Sequence, residues 1–402
     1  MRRKITNMTI LPAVAFLMLL LAGISSCERK PLYLAGATPS HVEVSVYDID
    51  LELVFGYDWK AEWQYDWDES LYGPIGYTEP NWIRATIYNR DSLDGGRRTP
   101  FIKTFPKEGG RVSLTSAMWY DMLFYNAGTE YILFDQAADK NYEYYHATTR
   151  HSSSANYSRA FTRQFDDYNQ PDELFGTFME KMWVSDNPDD YEVIKDEDGT
   201  VVYLYKIDAV LQPYTLIYLV QVMLLNNTDS IGRRVTGCQG ITLGGLSEGT
   251  DLLTRRTFQR EVSVSSQSDR IRPMQTNRML HLPVEMGDST VKGDIFATRI
   301  LTWGLPNLVP PLSTRTMATS YASRGNEMGL GLILRNNALY NVTKDVTDQM
   351  EKRLSGGVLT VVFDTSVIPD SILDPVNPPH TDGGFDASVH NWDHEQNAEI
   401  EI

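Results

Sequence analysis

The sequence predicts a mainly β protein, built as two tandem β-sandwich domains with short helices confined to the connections. Three observations predict it. Apolar and polar residues alternate with period two over the first long segment past residue 40, the mark of half-buried strands. Strand-like runs then recur in two blocks that part near residues 211–213. The strands do not alternate with long amphipathic helices, as a parallel α/β sheet would require. The expected division is a signal peptide over 1–26, a tether over 27–40, one sandwich over 41–211, and a second over 212–402 that ends in a polar tail.

The N-terminus carries its own chemistry. Arg2, Arg3 and Lys4 precede an apolar run from Ile10 to Ala22, which closes with Ile24-Ser25-Ser26-Cys27. Basic, apolar and small-residue regions in that order make a secretory signal. A branched apolar residue, two small residues and a cysteine resemble the bacterial lipobox, which implies cleavage before Cys27 and acylation of its thiol. The competing reading is an uncleaved spanning helix. The run falls short of the roughly 20 residues such a helix needs, and Pro12 interrupts it. Each buried methylene contributes about 0.8 kcal/mol, so two or more acyl chains hold a protein stably where one does not.

Pro31, Gly36 and Pro39 break any pattern in the tether; Val42, Val44 and Val46 then outline a first strand. From Ile49 the apolar set moves to odd positions, through Leu51, Leu53, Phe55, Tyr57, Trp59, Ala61, Trp63, Tyr65 and Trp67. The change of phase predicts a bulge or turn near Tyr47-Asp48. An aromatic strand face most often packs a sandwich core. Exposed, Trp59, Trp63 and Trp67 would form a platform for sugar rings.

Further strands are predicted at 83–88, 100–105, 111–114 and 130–134. Residues 193–194 and 201–205 flank Asp198-Gly199, a hairpin signal. The nearby acids lack the ligand spacing of a calcium loop, so a solvated tip is expected. Residues 116–125 and 171–182 read as short helices, the second because Pro171 is followed by Asp172 and Glu173. Residues 140–169, rich in Tyr, Ser, Thr, Asn and charge, read as an irregular surface excursion. In the second block the strands fall at 214–225, 294–303, 329–334, 358–363 and 399–402. A helix over 343–354, capped by Thr343, is expected to end at Gly356-Gly357.

The formal net charge of −17 repels phosphate backbones, which excludes nucleic acid as a partner. There are two cysteines. With Cys27 acylated, Cys238 has no partner within the chain and reads as a small buried residue rather than a nucleophile. Gly245-Leu-Ser-Glu-Gly249 matches the nucleophile-elbow pattern, but no helix is predicted after Gly249 to complete the elbow around Ser247. A Gly-rich turn is expected there. His390 and His394 stand four apart, a zinc spacing only on a helix, in a stretch that reads as loop. The expectation is no enzyme, no cofactor and no metal.

Several short motifs carry a resemblance: the lipobox followed by Lys30-Pro31-Leu32-Tyr33 and a Val-x-Val-x-Val strand; 119–126 (WYDMLFYN) and 171–176 (PDELFG); and 214–222 (YTLIYLVQV). Others are 237–249, 356–363 (GGVLTVVF), and 383–386 with Trp392. In this arrangement the chain resembles the Bacteroidales lipoproteins related to fimbrillins and their anchor proteins. The resemblance implies transthyretin-like sandwiches and an outer-membrane lipoprotein, on the surface or periplasmic leaflet, serving as a fimbrial anchor, accessory subunit or adhesin. It implies fimbrial subunits as partners, joined by β-strand addition, with the tail 367–402 reaching a partner or closing its own domain. No protease-processing site of the polymerising kind stands near Cys27, which favours an anchor. Asp91-Ser-Leu93, Asp229-Ser-Ile231 and Asp370-Ser-Ile372 resemble O-glycosylation sequons of this group and also suit ordinary turns. The alternative function is a cell-surface glycan-binding lipoprotein using Trp59, Trp63 and Trp67.

Overall fold

Strands dominate the computed structural model, which describes residues 42–46, 67–90, 100–126, 128–135, 145–152, 165–195, 197, 199, 201–228, 232–266, 272–273, 293–308 and 325–373, with backbone alone at 42–46 and 272–273. β1 (Val42–Val46) is followed by the short helix α1 (Glu69–Tyr72), then β2 (Trp82–Asn89), β3 (Phe101–Pro106), β4 (Gly110–Leu114) and β5 (Met118–Asn126). β6 (Ile132–Asp135), β7 (His146–Thr149), β8 (Asp166–Tyr168) and β9 (Phe175–Val184) come next, then the hairpin of β10 (Glu192–Lys195) and β11 (Val201–Ile207). The second half holds β12 (Gln212–Pro213), β13 (Leu216–Leu225), β14 (Val235–Ser247), β15 (Gly249–Asp251), β16 (Glu261–Ser266) and β17 (Arg272–Pro273). It continues with β18 (Gly293–Thr302), β19 (Glu327–Leu334), β20 (Leu339–Asp345), helix α2 (Thr347–Lys352), β21 (Gly357–Asp364) and helix α3 (Asp370–Leu373).

In the first half a four-stranded sheet in the order β10-β11-β1-β4 faces a five-stranded sheet in the order β12-β9-β5-β2-β3. Val112, Leu114 and Ile207 from the first meet Ile83, Ile87, Phe105, Met122 and Phe124 from the second in one buried cluster. β1 lies inside its sheet, parallel to β11 and antiparallel to β4. The alternation of Val42, Val44 and Val46 thus belongs to a strand paired on both sides.

Two elements expected as helices are strands. β5 covers most of 116–125 and β9 most of 171–182. Seven consecutive residues of β5, Tyr120 to Asn126, are buried, because both faces of the strand are covered. Met122 and Phe124 enter the sandwich core, while Leu123 and Tyr125 enter a separate cluster with Tyr214 and Trp303. Burial on both sides erases the period-two signal. Buried Asp121 takes both oxygens' worth of bonding from Arg90, at 2.7 and 2.8 Å, and from the Lys181 amide at 2.8 Å, where the β5–β9 register shifts.

In the second half a four-stranded sheet (β17-β18-β13-β21) faces a five-stranded one (β20-β19-β14-β16-β8). Between them lies a core from Tyr218, Val220, Val222 and Phe296 on one side to Cys238, Ile241, Leu243 and Leu330 on the other. Cys238 is fully buried there, as expected. All ten residues of β13 are buried. Its outer face, with Ile217 and Leu219, is covered by Tyr72, Ile75 and Tyr77 from the first half of the chain.

Residues 140–169 are more than a surface excursion: they contain β7 and β8, and Ala147 is fully buried. β7 pairs β6 on one side and β15 on the other, and β8 runs parallel to β16. The expected helix over 343–354 begins later, at Thr347; Thr343 lies in β20, and the Thr347 amide bonds the Asp345 carboxylate at 2.9 Å. Gly356 does stand at φ +92°, where the chain turns into β21 against the Ile217 carbonyl. The expected strand at 399–402 lies outside the described residues.

Candidate functional site

Where β8 leaves the second sandwich and the chain runs toward β9, a polar cleft of about 490 Å³ opens. Its walls come from distant parts of the sequence: Tyr131 before β6, Ser152 after β7, the run from Tyr168 to Glu173, the end of β16, and Leu301 of β18. Gln170 ties two sheets together beneath it. Its Nε2 donates to the Ser265 carbonyl at 3.1 Å, and its Oε1 accepts from the Leu301 amide at 3.0 Å.

Asp172 and Glu173 do not open a helix. One oxygen of Asp172, Oδ2, accepts the main-chain amides of Glu130 and Tyr131 at 2.7 and 2.6 Å, which fixes the backbone that carries Tyr131 to the rim. Glu173 accepts the Thr78 amide at 2.7 Å and pairs with Arg299, a charge-assisted contact largely shielded from water. On the opposite wall the Tyr168 hydroxyl bonds His151 at 3.1 Å and Glu248 at 3.4 Å. Burial raises the pKa of this phenol, with Arg260 opposing and Glu248 adding to the shift.

Three of the lining groups keep bonding capacity to spare. The Asn169 carboxamide and the Tyr131 hydroxyl make no hydrogen bond to described residues, and Asp172 Oδ1 accepts none. The cleft therefore offers amide donors, carboxylate and hydroxyl acceptors and one half-exposed aromatic ring. That is equipment for binding a ligand. No histidine or cysteine lines it, and among the described residues no cluster of acids, histidines and cysteines is placed to hold a metal. Its one trace in the sequence is the polar run 169–173, which straddles the end of the predicted excursion over 140–169 and the start of the predicted helix over 171–182.

The residues singled out from sequence are scattered. Cys27, Trp59, Trp63, His390 and His394 lie outside the described residues. Trp67 is half-buried and outside any strand; its Nε1 donates to the Gly73 carbonyl at 2.8 Å and its ring leans on Tyr72 at 5.2 Å. It packs against the outer face of β13 and β18. Ser247 stands in a strand, where a Gly-rich turn had been expected, just past a register shift between Gly244 and Leu246. It is 1% exposed, with its Oγ against the carbonyls of Gly249 at 2.8 Å and Phe258 at 3.1 Å. No elbow is built there.

The sheet edges form a second set of candidate surfaces, since an unpaired edge is a template for another chain. Most are short or guarded. β12 and β17 are two residues long, and β8 three. β3 carries Lys103 and ends on Pro106, both of which blunt an edge. β21 is closed by a side chain: Gln349 donates to the Thr360 carbonyl and accepts from the Thr360 amide, each at 2.9 Å. β20 differs. It has seven residues without proline, and exposed Leu339, Asn341 and Thr343 alternate with half-buried Tyr340, Val342 and Lys344. Among the described residues no strand pairs with its outer edge.

Fold and edges define a mostly β protein of facing sheets, with a polar cleft where its two halves meet. Among solved structures it is similar to a candidate adhesin from Bacteroides ovatus, with 14% identity, 83% of this chain and 95% of that one covered, and a TM-score of 0.43. It is similar to the fimbrial anchor protein Mfa2 from Porphyromonas gingivalis at 8% identity, 80% and 90% coverage and a TM-score of 0.35. A fimbrial assembly protein from Parabacteroides distasonis is similar at 9% identity, 81% and 92% coverage and a TM-score of 0.30. No protein-family model and no curated protein matches the chain.

Proposed function

We propose that this chain is a non-enzymatic outer-membrane lipoprotein, acylated at Cys27, that serves as a fimbrial anchor or accessory subunit in adhesion and joins its partner by strand addition. The outer edge of β20 carries the reading: it is an edge strand of seven residues without proline, and among the described residues no strand pairs with it. A partner strand laid there gains main-chain hydrogen bonds, and its alternate side chains read the exposed positions. The placement of β1 supports a load-bearing role. Tension from an anchored N-terminus enters an interior strand held by ladders to β11 and β4, so it shears two rows of hydrogen bonds together instead of peeling an edge.

The test is a pair of proline variants, Asn341→Pro and Val342→Pro, in the full chain. In an antiparallel edge strand neighbouring amides point alternately to the ladder and to the open side, so only one of the two costs a native bond. The variant that keeps the parental melting temperature should lose co-purification with fimbrial subunits from outer membranes. Undiminished co-purification by that variant refutes strand addition at β20. Cys27→Ser should accumulate precursor and lose acyl-chain labelling; normal processing there would remove the lipid anchor from the reading.

A further inference from the structure

We infer that the cleft between Tyr131, Asn169 and Asp172 is a binding site for a neutral oligosaccharide. Three features of its chemistry select that class. The volume of about 490 Å³ lies within the range of about 300–1,000 Å³ typical of small-molecule sites, and suits a di- or trisaccharide better than a single sugar ring. Tyr131, 45% exposed and with its main-chain amide bonded to Asp172, presents an apolar ring face against which the C–H face of a pyranose packs. The Asn169 carboxamide and Asp172 Oδ1 supply donors and an acceptor at neighbouring positions, the complement of vicinal hydroxyls, each of which donates one bond and accepts others.

Charge decides between neutral and anionic sugars. The charged lining residues are Asp172 and Glu173, and Arg299 neutralises the second. No lysine or arginine lines the cleft to receive a sulfate, phosphate or carboxylate, and the whole chain carries −17. The site therefore excludes anionic glycans. Its frame is set in advance: Gln170 and Asp172 spend their bonds on the backbone of the walls, so binding need not order them first. The cleft and the β20 edge share no residue, and either role stands if the other fails.

The test uses the full chain in detergent, titrated with maltotriose, mannotriose and N-acetylchitotriose as neutral probes and with sialyllactose as the anionic one, read by saturation-transfer NMR and calorimetry. At least one neutral probe should bind at millimolar affinity or tighter, and sialyllactose should not. Tyr131→Ala and Asn169→Ala remove side chains that make no described protein hydrogen bond, so each should keep the parental melting temperature and weaken binding about tenfold, a change of about 1.4 kcal/mol. Failure of all three neutral probes overturns the inference. So does equal binding by both variants, which would place the sugar elsewhere on the protein, or a preference for sialyllactose.

Discussion

The Gln349 carboxamide lies along β21 and completes both main-chain groups of Thr360, one hydrogen bond in each direction at 2.9 Å. A single side chain from α2 thereby does at the middle of this edge what a neighbouring strand would do. Replacing it by alanine removes two hydrogen bonds of about 0.5–1.5 kcal/mol each and bares the main-chain edge of a strand whose inward alternate positions, Leu359, Val361 and Phe363, belong to the core. Gln349→Ala should lose about 1–3 kcal/mol in urea unfolding and should also self-associate with rising concentration in sedimentation. Unchanged stability together with a monomer at all concentrations would show that the edge is closed by something other than this amide.

Gly176 bears on a different joint, the one between the two halves of the chain. A Cβ there would run into the Tyr214 ring and sit 2.7 Å from the Phe124 carbonyl. Tyr214 has no room to yield. It is 1% exposed, its hydroxyl donates to the Leu252 carbonyl at 2.6 Å, and Arg255 lies over its ring at 5.3 Å. Gly176→Ala should therefore cost at least the 1–3 kcal/mol typical of overpacking. Tyr214→Phe in the same background should not rescue it, because the collision is with the ring and a backbone oxygen. Full rescue by that second change would mean the hydroxyl's tether, and not the space, sets the constraint.

The same two-sided burial made one strand legible and hid another. β13 reads Leu-Ile-Tyr-Leu-Val-Gln-Val-Met-Leu-Leu; its β-branched residues and its length mark a buried strand without any alternation. β5 is equally enclosed, but its Met, Trp, Tyr, Leu and Phe carry no β-branched signal, and the period that separates helix from strand is absent. The last three residues of β20 fall inside the helix predicted over 343–354 because the true helix begins only two residues after the strand, and boundaries are the least determined part of a sequence pattern. The cleft is not legible as an assembly. Its lining runs from Tyr131 to Leu301, and the exchange of β7 and β8 into pairings with β15 and β16 that assembles it is a long-range event. A polar run such as Asn169-Gln170 shows no purpose until Ser265 and Leu301 arrive beside it.

Buried phenols set an alkaline limit on the fold. Tyr191 donates to the Ser185 carbonyl at 2.6 Å and meets Tyr205 edge-on at 5.9 Å. Its burial, reinforced by Asp190, Tyr205 and Asp186 and opposed by the Ser185 bond, pushes its pKa up to about 12, against about 10 in an unfolded chain. A raised folded-state value means that the folded state holds its proton longer. The stability this contributes is complete below about pH 10 and is lost as pH climbs through about 12. Burial also raises the values of Tyr77, Tyr145, Tyr214 and Tyr218, with Arg299 opposing it at Tyr77, so several phenols act in the same direction. The urea midpoint should hold steady up to about pH 10 and then fall steeply. Tyrosinate absorbance should rise in two stages, the exposed phenols first and the rest together with loss of near-ultraviolet circular dichroism. Tyr191→Phe keeps the ring and drops the titrating group; it should lose about 1 kcal/mol near neutrality with the Ser185 bond and show a shallower alkaline slope. A protein whose tyrosines all ionise near pH 10 while its circular dichroism stays native would contradict this account of the buried rings.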